Sequence, residues 1–181
     1  MKLRELIGEA DLLLQRHPEW LPRLPRNPLK VFETGGVWTR LVLGELRGEK
    51  TPTAGAAWTR LGFLKYSFAG LAGLAWLAAC LVLRSPWPAL LAVPAFYLVE
   101  VQMLFLFPVA ADGSPAPFRE SRIWTRRAGG TCRVLPTVFG IAWMMTCGGL
   151  IRGKCTRYWT LGCLAVLLWY ERLRVKESYA L

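Results

Sequence analysis

Histidine is almost missing from this chain. The single one, His17, falls between a charged segment and a run of prolines. One imidazole excludes paired-histidine haem ligation inside a membrane, histidine-box di-iron sites and histidine-rich zinc sites built by this chain alone. No metal site and no His-ligated cofactor is therefore expected within the apolar segments, and no histidine is there to act as a base. The nucleotide loop G-x-x-x-x-G-K-[ST] and the nucleophile elbow G-x-S-x-G are also lacking. The five cysteines form no C-x-x-C pair, and an odd, scattered set argues against a disulfide framework. Cys80, Cys147 and Cys163 fall in apolar runs and read as small hydrophobes. The regular spacing of Cys147, Cys155 and Cys163 reads as coincidence, with a Cys147–Cys155 bridge left open.

Charge is scarce too. Only 19% of residues are charged, against roughly 25% in soluble domains. The ions crowd into residues 1–60 and leave long apolar windows behind them. The first sixteen residues are too charged for the apolar core of a cleavable signal.

What is there points to a membrane. The chain is 54% apolar, with nine Trp. Four apolar runs, 61–83, 89–110, 134–151 and 156–170, have the composition of spanning helices; about 20 residues at 1.5 Å each cross a hydrocarbon core of roughly 30 Å. The fold class expected is all-α: four transmembrane helices in a bundle, residues 61–175. A small cytoplasmic or interfacial N-terminal region, residues 1–60, precedes it, and a short tail, 176–181, follows. The fourth run is short, but Leu173 and Val175 extend it if Glu171 and Arg172 pair. The alternative for 134–151 and 156–170 is a re-entrant hairpin. Trp58, Trp124, Trp159 and Trp169 fall near run ends, where an aromatic belt forms.

Within residues 1–60, Leu3, Leu6, Ile7, Ala10, Leu13 and Leu14 recur at helical spacing. This amphipathic helix has a polar face of both signs, which favours docking over lying on lipid. Pro18, Pro22, Pro25 and Pro28, ending at Gly35-Gly36, read as an extended connector with Trp20 and Leu21 as anchors. A short helix is expected from Val37 to Arg47, with Val37 and Leu41 on its packed side and Gly48 as its stop.

The net charge of +11 first suggests nucleic acid. The Lys and Arg instead flank the apolar runs, as expected beside anionic headgroups. If four spans alternate, nineteen of the 23 share one side. Both termini are then cytoplasmic, in a bacterial-type inner (plasma) membrane. The partners expected are membrane lipids and other membrane subunits, not nucleic acid.

A few residues stand out. Glu100, with Tyr97 on its face, lies near the middle of the second run, and an ionisable group there suggests function by default. Gln102 points about 200° away and serves a different neighbour. Lys65 sits near the start of the first run and is expected to snorkel. Ala69 with Gly73, and Ala75 with Ala79, offer small-residue faces for close helix packing. Arg119, Arg122, Arg126 and Arg127, in the basic loop 119–133, could grip a lipid phosphate if a short helix gathers them.

No catalytic constellation emerges. The leading expectation is a small accessory subunit or assembly partner of a larger membrane complex. The alternative is a membrane-embedded enzyme or binder for a phosphorylated lipid or isoprenoid, with Glu100 as acid/base and the arginine loop as headgroup site.

Overall fold

The structure is a computed structural model, described for residues 3–22, 25, 27, 30–49, 57–84, 89 and 91–179. Pro28 of the expected connector lies outside these residues. Every regular element among the described residues is helical. In order they are α1 (Leu3–Arg16), a 3-10 turn (Pro18–Trp20), α2 (Val31–Arg47), α3 (Trp58–Val82), α4 (Ala92–Gln102) and α5 (Leu106–Ala111). Then come α6 (Pro117–Arg127), α7 (Thr131–Trp143), a π-helical turn (Met144–Gly148), α8 (Gly149–Ile151) and α9 (Cys155–Ser178).

Among the described residues, three helical stretches are long and apolar enough to cross a membrane: Trp58–Val82, Ala92–Ala111 and Thr131–Ile151. Their outward faces carry Phe63, Phe68, Leu71, Leu74, Leu98, Phe139 and Ile151, all exposed. Such faces are stable against lipid tails and not against water.

The fourth expected run does not match these three in composition, and its bounds differ. α9 continues through Glu171, Arg172 and Arg174 to Ser178, past the expected boundary at 176. The added charges are paired: Glu171 with Arg47 at 2.5 Å, and Arg172 with Glu9. α9 runs antiparallel to α7 from the Gly153 turn. Gly149 packs on Cys155, and Gly162 takes the Met145 side chain where any Cβ would collide with it. Leu161, Leu164, Ala165, Leu167 and Leu168 are buried. A helix sheathed by protein needs less apolar surface than one facing lipid, which is why its composition is weaker.

The second run is not one helix. Pro108 has no N–H for the Leu104 carbonyl, and its ring crowds that carbonyl. The helix breaks at Met103–Phe105. α6 covers the break: Ser121 Oγ donates to the Gln102 carbonyl (3.1 Å) and Thr125 Oγ1 to the Val101 carbonyl (3.0 Å). Neighbouring hydroxyls cap the carbonyls at the end of an interrupted membrane helix in this way.

α1 docks on this same chain. Its buried residues Leu6, Ala10 and Leu14 face α9, and Leu3 presses on Gly140 of α7. Arg157 Nη2 lies 2.8 Å from Asp11.

α2 differs from its expected form in two ways. It starts at Val31 and runs through Gly35-Gly36, because Gly36 receives the Trp58 ring where no Cβ fits. Its buried side is Gly36, Thr39, Val42 and Leu43, while Val37 and Leu41 are exposed. Leu21 is likewise exposed, and of the two expected anchors Trp20 is the buried one. Gly48 closes α2 with a left-handed φ of 66°, the conformation that favours glycine.

At the end of α2, Arg47 reaches Asp112 at 2.5 Å as well as Glu171, and Tyr170 donates to Asp112 at 2.7 Å. Burial opposes the Arg47 charge. The hydrogen bonds and charges of Glu171 and Asp112 outweigh it and hold the guanidinium above its ordinary pKa. This cluster ties α2, the end of α5 and α9 together.

Candidate functional site

Residues at four-residue spacing share a helix face. On α3 that face carries Lys65, Ala69 and Gly73. Gly73 brings α4 close: a Cβ there would lie 3.6 Å from the Ala92 carbonyl oxygen and 3.8 Å from Phe96 Cβ. One turn beyond Phe96 is Glu100, and two turns before Gly73 is Lys65. The antiparallel contact brings them together, with Lys65 Nζ 3.4 Å from Glu100 Oε1. Lys65 does not snorkel to water; it is 6% exposed. An isolated buried charge costs several kcal/mol, and an opposite charge at salt-bridge distance offsets much of that.

The pair forms the polar pole of a cavity of ≈ 180 Å³ between α2, α3, α4, α7 and α9. Thr39, Tyr66 and Cys163 add polar atoms near it. Trp38, Phe107, Ile141, Met145 and Trp159 supply apolar wall. The Lys65 ammonium lies 5.3 Å from the Tyr66 ring centroid, within cation–π range. Tyr66 in turn stacks on Phe32 of α2.

Two backbone irregularities flank this cavity. One is the break at Met103–Phe105, just beyond Glu100. The other is the π-helical turn Met144–Gly148, whose Met145 lines the cavity. π-turns and interrupted spans recur at functional sites in membrane helices.

The remaining candidates are placed as follows. Gln102 donates to Thr131 Oγ1 at 2.5 Å, away from the Lys65 pair. Tyr97 packs edge-to-face on Phe139. Ala69 is buried, whereas Ala75 and Ala79 are exposed. Arg119, Arg122, Arg126 and Arg127 all fall on α6, and none lines the cavity. Glu100 and the arginines are thus not brought into one site. All five cysteines are free, including Cys147 and Cys155.

One cluster had no sequence signal. His17, Glu19 and Glu45 place their ligand atoms within 4.8 Å of one another. Nδ1 of His17 is 2.9 Å from Glu19, and the Trp20 indole donates to Glu45 at 2.5 Å. A backbone hydrogen bond, then the His17 side chain, hold the Glu19 carboxyl below its ordinary pKa. By donor type the three could hold a divalent cation; by geometry they already bond to one another and to Trp20. Lys65 was the other residue missed. Its partner lies thirty-five positions away, and only the register of the α3–α4 hairpin reveals it.

No family model, characterised protein or solved structure matches the chain.

Proposed function

We propose that this is a non-catalytic integral membrane protein whose cavity holds the uncharged polar head of a membrane-soluble amphiphile, such as an isoprenoid alcohol or a quinone. The observation that carries this reading is the Lys65–Glu100 pair at the pole of an otherwise largely apolar cavity. A mostly apolar cavity with a few convergent polar groups suits such a ligand. The pair is neutral as a whole but offers a donor and an acceptor. A phosphorylated head would meet one cation already shared with Glu100, in a low-dielectric wall without arginine. That favours an uncharged head over the phosphorylated one. Glu100 is engaged by Lys65, and the lining carries no histidine or second carboxylate to complete an acid–base pair, which favours binding over catalysis.

The topology that goes with this reading has four crossings, α9 being the fourth, with both chain ends on the cytoplasmic side of a plasma (inner) membrane.

Native mass spectrometry after extraction in mild detergent tests the proposal. The wild-type chain is expected to retain an amphiphile with an uncharged head, and Lys65→Met/Glu100→Leu to lose it while keeping its thermal transition. A ligand-free wild-type chain would sink the reading. So would retention unchanged in the double variant.

A second reading is supported by a different feature. Ala75 and Ala79 form an open small-residue face on α3, with the exposed Trp76 beside it. Such a face suits another spanning helix, as an accessory subunit or assembly partner would present. In that case partner proteins co-purify in fixed stoichiometry, and Ala79→Leu releases them.

A further inference from the structure

We infer that the outer face of α6 binds the phosphate groups of anionic phospholipids. α6 is pinned on its inner side by Ser121 and Thr125, which donate to the carbonyls at the end of α4. On the other side Arg119, Arg122 and Arg126 recur at helical spacing and are all exposed. No carboxylate pairs with these three among the described residues. Arg127 behaves differently. Glu177 holds it at 2.5 Å, and its guanidinium lies 4.8 Å from the Trp124 ring centroid.

The depth of α6 decides the partner. α6 joins the stretch that ends at Ala111 to the one that begins at Thr131, and its last residue, Arg127, is four positions before Thr131. A helix in that connection lies beside the end of the third stretch, where it leaves the hydrocarbon for the headgroup layer. Lipid phosphates are there at high local concentration, and guanidinium groups bind phosphate through paired, charge-assisted hydrogen bonds. Each basic group near an anionic surface adds about a fivefold gain in affinity. Three give on the order of 100-fold.

The test uses the full chain, delipidated in neutral detergent and titrated with phosphatidylglycerol or phosphatidylcholine, with bound lipid counted by native mass spectrometry. The wild-type chain is expected to prefer phosphatidylglycerol by more than tenfold. Raising salt from 0.1 to 1 M, which shrinks the screening length from about 10 to about 3 Å, is expected to weaken that preference. Arg119→Gln/Arg122→Gln/Arg126→Gln loses about 100-fold, while Arg127→Gln retains the preference. Equal binding of the two lipids by the wild-type chain overturns the inference without any variant. Displacement of phosphatidylglycerol by millimolar inorganic phosphate overturns the lipid as ligand. A triple variant that still prefers phosphatidylglycerol overturns the site.

Discussion

The Glu100 carboxylate and the Lys65 ammonium face each other 3.4 Å apart across the α3–α4 contact, in the register that Gly73 sets against Ala92. Removing one charge strands the other. Glu100→Gln is expected to destabilise the protein by about 3 kcal/mol, within the range for breaking a buried pair. Lys65→Met/Glu100→Leu, which removes both, costs far less. Thermal unfolding in detergent separates the two outcomes; a double variant that loses as much as Lys65→Met and Glu100→Leu lose together when made singly would mean that the pair contributes no coupling.

At the break at Met103–Phe105, Ser121 donates to the Gln102 carbonyl, and Thr125 adds a second donor to the Val101 carbonyl beside the Leu104 N–H. Ser121→Ala and Thr125→Ala each cost about 1 kcal/mol, the net worth of a hydrogen bond. Amide hydrogen exchange at residues 103–106 is expected to speed up in both. Exchange that is unaffected would mean that α6 does not hold the break.

Much of this architecture could be read from the chain itself. The expected run 61–83 lies close to α3 (Trp58–Val82), which begins three residues earlier; the apolar stretch has no helix breaker. α1 was visible because Leu6, Ala10 and Leu14 recur at helical spacing. The α2 face was not, since Gly35 and Gly36 resemble a loop until Trp58 is seen lying against Gly36. The break after Glu100 needed Pro108 to be weighed against an otherwise continuous apolar run. Lys65 looked like an interfacial anchor, because nothing local announces that Glu100 lies opposite. The arginines of α6 share a helix with Ser121 and Thr125, and it is those two hydroxyls that turn the arginines away from the cavity.

Gly36 is a close approach between α2 and α3. A methyl there would lie 2.1 Å from the Trp58 ring, and overpacking of this kind costs about 1–3 kcal/mol. Gly36→Ala is expected to lower the thermal transition, and Trp58→Leu introduced into that variant is expected to recover part of the loss. Additive effects of the two substitutions would show that the contact is not shared.

Two natural cysteines report the threading. Cys132 and Cys155 are both free and exposed, and they lie at opposite ends of the α7–α8 stretch. With the remaining cysteines replaced by Ala, a membrane-impermeant maleimide added to intact cells is expected to label Cys155 and to reach Cys132 only after permeabilisation. The reverse pattern would invert the proposed topology.

α1 and α9 are separated in the chain by residues 17–154, yet each is the other's principal neighbour. During translation, Leu6, Ala10 and Leu14 lack the surface they pack on until residues 155–178 have emerged. α1 is therefore covered only after the hairpins between the two helices have been made. A ribosome stalled before α9 would leave those three side chains bare, an apolar stripe open to chaperones.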